Sequence, residues 1–176
     1  VNPQVAAAQV TPKIEETQPV ETSASVGLAG EGLRLFVGDG SQTRALDFGS
    51  EMAIAVDILT NVWGEPFFAS AVLCEPRNQL FDIVQWPNGM MVGGIAGEFV
   101  GWRAQDNAKA TTMYGLGIGT PIAELRDAAV AINFFEDNIG KGFYVGEGNG
   151  IEGRLSASAD DVVVEYLQAG DHCVYH

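Results

Sequence analysis

The sequence predicts an α+β protein made of two tandem units, each a helix followed by an antiparallel β-meander, with the helices packed on an antiparallel sheet. Three observations predict it. A Phe48-Gly49-Ser50 start, with Ala53 and Asp57 downstream, recurs 70 residues later as Ile118-Gly119-Thr120, with Ala123 and Asp127 (118−48 = 70). Each start opens a run of apolar residues at helical spacing. Each helical run is followed by an Asn-Gly pair, Asn88-Gly89 and Asn149-Gly150, a dipeptide suited to tight hairpin turns.

The elements follow in order. Residues 1–28 are rich in Ala, Val, Pro, Gln, Thr, Glu and Ser and hold no aromatic, and Pro3, Pro12 and Pro19 interrupt them. Such a segment cannot bury a core and reads as a disordered leader or linker. The first repeat spans 29–109 and the second 110–176. Residues 33–37 form a strand signal, the Gly38-Asp39-Gly40-Ser41 cluster turns the chain, and residues 43–48 return. Ser50 is the expected N-cap of a helix whose stripe is Met52, Val56, Leu59 and Trp63, with Gly64 and Pro66 as its stop. Strands are expected over 80–86, 90–95 and 97–102, and polar residues 103–110 mark the boundary between repeats. In the second repeat Thr120 is the expected N-cap and Pro121 the first helical residue, with Ile122, Leu125, Ala129 and Ile132 as the stripe. Strands follow at 143–145, 151–155 and 162–167.

Composition narrows the function. The net charge is −14, so nucleic acid and anionic lipid surfaces are poor partners, since both are held by clustered Lys and Arg. No apolar run approaches the ~18–20 residues a membrane helix needs. Cys74 and Cys173 stand far apart and fit neither a CxxC redox motif nor a zinc ribbon. In an exported protein they would pair; in a cytosolic one they would be two buried thiols. The chain opens without Met and without a basic-then-apolar signal, so the expectation is that a signal peptide has already been removed. Leader and cysteine pair together suggest an extracellular, periplasmic or cell-envelope location.

An apolar-Gly-Ser/Thr start, a short helix and a meander resemble the unit shared by the outer-membrane-assembly lipoprotein BamE (SmpA/OmlA) family and the β-lactamase-inhibitor protein family. In the latter the unit is duplicated. Phe48-Gly49-Ser50 through Trp63-Gly64-Glu65-Pro66 is similar to the family's Gly-Met-Thr helix with its closing Gly and Pro, and Ile118-Gly119-Thr120 is similar to a second copy. Ser50 departs from the expected Met, and Asn138, Ile139 and Gly140 only approximate the second helix exit. The general composition also resembles that of secreted actinobacterial envelope proteins. The resemblance implies a non-enzymatic binding or assembly module.

Chemical motifs are sparse. Gly115-Leu116-Gly117-Ile118-Gly119-Thr120 lacks the third Gly of a dinucleotide fingerprint and the Lys of a Walker loop, and reads as a strand end entering a helix. His172, Cys173 and His176, with Cys74, contain zinc-ligand types, but a disulfide flanked by histidines explains them more simply. Glu136-Asp137 and Asp160-Asp161 are carboxylate pairs that read as solvated charges, and Glu147, Asn149 and Glu152 lack calcium-loop spacing. Cofactors and metals are therefore not expected. The leading expectation is a non-catalytic protein-binding module, an accessory subunit of a membrane or cell-wall assembly being one such role. The alternatives are a cell-wall or glycan hydrolase working through carboxylates and a small-molecule or lipid carrier. Phe67, Phe68, Trp86, Phe99 and Trp102 form the candidate binding surface, with sheet-to-helix core packing as the competing explanation.

Overall fold

The computed structural model describes residues 24–146, 150–157 and 161–173. In chain order these form β1 (Ala24–Ala29), β2 (Gly32–Val37), β3 (Gln42–Asp47), α1 (Met52–Trp63), β4 (Phe68–Cys74), β5 (Gln79–Gln85), β6 (Met90–Ile95), β7 (Glu98–Gln105), α2 (Ile122–Arg126), β8 (Ile132–Glu136), β9 (Lys141–Val145), β10 (Ile151–Leu155) and β11 (Val164–Gly170). Strands β1-β2-β3 make a small antiparallel sheet. The other eight make one antiparallel sheet in the order β4-β5-β6-β7-β11-β10-β9-β8.

The protein is thus mostly β, and the α+β expectation is overturned. Among the described residues there are two α-helices, of 12 and 5 residues, against eleven strands. The expected second stripe breaks at Asp127 because Ile132, which fits a helical period, instead starts β8 and pairs with Val145. Its neighbours Phe134 and Phe135 are strand formers, and ladder pairing outweighs a short helix. Strands β4 and β8 extend the sheet at both edges beyond the expected meanders. The polar boundary at 103–110 opens inside β7, where Ala104 is fully buried. Strand β1 occupies the last residues of the segment read as leader, with Val26 and Leu28 in the core; residues 1–23 lie outside the described residues.

The sequence repeat is a repeated hydrogen-bond clamp. Gly49 N–H donates to the Phe99 carbonyl at 2.8 Å, and Phe99 N–H donates back to Ser50 O at 2.8 Å. Gly119 N–H donates to Val164 O at 2.8 Å, and Val164 N–H to Thr120 O at 2.9 Å. Met52 and Ile122 complete each clamp by donating to Gly97 and Val162. Gly49 and Gly119 hold φ of 89° and 84°, which is why glycine stands at both positions. The clamp consumes the expected caps. Ser50 Oγ donates to Asp47 O, Thr120 Oγ1 accepts from Gly117 N, and the N-caps are Glu51 and Pro121.

Pro87-Asn88-Gly89 closes a three-residue hairpin loop in which Gly89 alone takes positive φ. Asn88 instead uses its Oδ1 to accept from Met90 N. The matching Asn149 lies outside the described residues.

The core lies on one face of the eight-stranded sheet. Leu28, Leu33, Leu35 and Leu46 of the small sheet, Met52, Ala55 and Leu59 of α1, and Leu125 of α2 pack on Val92, Trp102, Phe143 and Leu167. Two indoles fix the layers. Trp102 Nε1 donates to Ala29 O at 2.9 Å, and Trp86 Nε1 donates to Gly64 O at 2.9 Å, where Gly64 ends α1. Both bonds satisfy polar atoms that would otherwise be costly to bury.

Cys74 and Cys173 form a disulfide with their Cα atoms 5.5 Å apart. The tail leaves β11 at Gly170, passes Gly101 of β7, where an added Cβ would meet Asp171 O at 2.3 Å, and is tied to the edge strand β4. Three extended residues reach about 10 Å, so Gly170 lies within about 16 Å of Cys74, given the 5.5 Å Cα separation. Four strand spacings in a flat sheet need about 19 Å. The sheet therefore curls towards the tail, and the face opposite the core is concave at this end. No helix among the described residues is long and apolar enough to cross a membrane.

Candidate functional site

Strand register places one unbroken row of side chains across all eight strands, on the face opposite the core that is concave towards β4. Asn133, Tyr144, Glu152, Gln168, Arg103, Met91, Gln85 and Phe68 are successive cross-strand partners from β8 to β4. Their neighbours along the strands, such as Trp102, Leu167 and Val92, point the other way into the core. The row is half-buried to exposed except for Gln168, which is buried.

The middle of the row is a polar relay. Arg103 Nη2 donates to Gln168 Oε1 at 2.8 Å, and Gln168 Nε2 donates to Glu152 Oε2 at 3.4 Å. Arg154 contacts Glu152 at 3.3 Å and donates to Asp137 Oδ1 at 2.8 Å. The Arg154 hydrogen bond holds the Asp137 carboxyl down at about 2, assisted by the Ile139 and Gly140 amides against partial desolvation. The same contact raises the guanidinium above its ordinary value. Aromatic rings flank the relay. Arg103 lies 5.2 Å from the Tyr166 ring centroid, Arg154 lies 4.8 Å from that of Phe135, and Phe135 stacks on Tyr144 at 4.8 Å. Cation–π contact and stacking hold these side chains in fixed positions before anything binds.

The five aromatics expected to form the surface divide. Phe67 and Phe68 are exposed, at 66% and 43%, but Trp86, Phe99 and Trp102 are at most 1% exposed and belong to the core. Phe99 packs edge-on against Phe48 at 5.1 Å, and Trp86 against Trp63 at 5.3 Å. Only Phe68 shares the concave row. Sequence reasoning missed Met91, Arg103, Tyr144, Tyr166 and Gln168 and weighed Glu152 only as a calcium ligand; all six stand in strands many of whose intervening residues are buried. That period of two was the signal available.

The other chemical motifs resolve into structure. Within the Gly115–120 segment, Gly117 N–H is taken by Thr120 Oγ1 and Gly119 N–H by Val164 O. Cys173 is spent in the disulfide, and His172 Nε2 lies 3.1 Å from Ala169 O. Burial, then the Arg103 charge, lowers the His172 pKa to about 4. Asp137 is engaged by Arg154, and Glu152 by Arg154 and Gln168. Glu136 faces Lys141 across the ladder. Glu147, Asn149, Asp160 and His176 lie outside the described residues. An open cleft of about 810 Å3 lies where Leu28 and Glu31 approach Tyr114, Val145 and Ile151. Its two carboxylates, Glu31 and Asp47, both accept from Arg34, so they form an ion-pair cluster. No protein-family model, curated protein or solved structure matches the chain.

Proposed function

We propose that this chain is a non-catalytic protein-binding module of a secreted or envelope-associated system, presenting the concave face of its eight-stranded sheet to a folded partner. An accessory subunit of a membrane or cell-wall assembly fits that description. The observation that carries the reading is the row from Asn133 to Phe68, eight side chains on eight strands with a preset charged centre and aromatic flanks. Tyr and Arg concentrate binding energy at protein interfaces, and here they are held in place by neighbours, which lowers the ordering cost of association. The disulfide supports an oxidising compartment. The likeness of the two Gly-started units to the BamE and β-lactamase-inhibitor families favours a binding role over catalysis.

The test is affinity capture from envelope extract with the native chain and with a Tyr144→Ala/Tyr166→Ala variant. The reading expects one specific partner that the variant fails to retain. Equal retention by both, or none by either, would overturn it.

A further inference from the structure

We propose that the edge strand β4 joins two copies of this chain into a two-fold dimer, extending one eight-stranded sheet into the other. Edge strands carry a row of outward N–H and C=O groups and are ordinarily guarded by charge, proline or a bulge. Strand β4 has none of these. Its seven residues, Phe-Ala-Ser-Ala-Val-Leu-Cys, are uncharged, and its register with β5 runs unbroken from Phe68 to Cys74. Phe68 through Val72 pair, among the described residues, with β5 alone, and they are exposed on both faces. The other edge of the sheet differs: β8 is five residues long and ends in Glu136.

The strand's own sequence selects a second copy as the occupant. An antiparallel two-fold through Ser70 sets Ser70 opposite itself and pairs Ala69 with Ala71 on one face. On the other face Phe68 meets Val72 of the partner subunit twice, symmetrically. An aromatic opposite a β-branched residue is a favourable cross-strand pair, and small residues at the centre let the backbones close. The interface is isologous and closes at two copies. Glu65 and Glu75 flank the run and repel across the two-fold, and each copy carries a net charge of −14. Association should therefore strengthen as salt screens these charges. The dimer shares Phe68 with the concave row but none of its charged centre, and its test reads mass and cross-linking at Ser70, so its failure is distinguishable from that of the proposed partner.

Sedimentation velocity of the disulfide-intact full chain over a concentration series tests it. The mass should move reversibly from 18.7 kDa towards twice that value, and the transition should shift to lower concentration with added salt. Ser70→Lys sets like charges against each other at the two-fold and should hold the chain at monomer mass, with circular dichroism unchanged. Because the lysine variant could disturb folding, Ser70→Cys gives an independent reading. It keeps the side-chain size and should form an inter-chain disulfide on oxidation, while Ala69→Cys, facing Ala71, should not. A native chain that stays monomeric at its highest soluble concentration would overturn the dimer. So would open-ended oligomers, or equal cross-linking from both cysteine variants.

Discussion

The ring of Phe143 packs against the backbone of Gly153, its partner across the β9–β10 ladder, so closely that a Cβ on Gly153 would meet Phe143 Cζ at 2.2 Å. Phe143 is fully buried and cannot move aside without displacing the core. Gly153→Ala should therefore destabilise by about 1–3 kcal/mol, the range for overpacking, measured from the urea midpoint. Phe143→Leu removes the obstructing ring atom. In that background the alanine should cost measurably less, and a double-mutant cycle reads the coupling.

The tight turn at Ala96-Gly97 joins β6 to β7, and Ala96 is held at φ 52°, where a side chain is strained. Ala96 is exposed and Asn tolerates this region better. Ala96→Asn should stabilise by about 0.5–1 kcal/mol, or raise Tm by roughly 1–4 °C. Thermal unfolding followed by circular dichroism checks it.

The disulfide closes a loop with a sequence separation of 99. Its removal by paired Cys74→Ser and Cys173→Ser changes should cost about 4–5 kcal/mol in the chain-entropy description. Phe81 is buried on the concave face at the end the tail crosses, outside the main core. Amide exchange along β5 and the tail should rise in the variant more than exchange in β9 and β10.

Acid should act on the tail before it acts on the sheet. His172 is half-buried, and its pKa is lowered from 6.5 to about 4 by desolvation and Arg103, against the opposing pull of Ala169 O and Asp171. A depressed histidine contributes stability that is complete above its unfolded value and is lost as pH falls through the folded one. Tail docking should weaken between pH 6.5 and 4, and His172→Gln should remove that dependence. Proton NMR of the His172 ring supplies the titration.

Asp137 responds lower. Arg154 depresses its carboxyl from 3.8 to about 2, so its contribution is present above 3.8 and disappears as pH falls towards 2. Asp137→Asn should flatten the acid unfolding curve in that window alone, leaving the His172 transition unchanged.

Much of the strand layout was legible because its signals are local. β2, β3, β5, β6, β7 and β10 lie where alternation and turn residues put them. β1, β4 and β8 were missed for three different reasons. β1 is made of small residues and draws its strand character from pairing with β2. β4 is exposed on both faces over Phe68–Leu73 and so shows no alternation. In β8, Ile132 continues the helical spacing of Ile122 and Leu125, and only the β9 ladder decides otherwise. The binding surface was less legible. Trp102 is an aromatic strand residue like Phe68, and Trp86 directly follows β5, yet which face a strand residue takes depends on register across seven other strands. The disulfide, a matter of composition and compartment, was open to sequence reasoning.

The central claim is that the concave face, from Asn133 to Phe68, is where another protein docks. Site-specific photo-cross-linking in the native envelope tests it most directly. A benzophenone amino acid at Tyr144 or Met91, on the face, should give one discrete protein adduct, and the same probe at Thr43, on the exposed edge strand β3, should give none. Adducts from Thr43 matching those from Tyr144, or none from either face position, would contradict the claim.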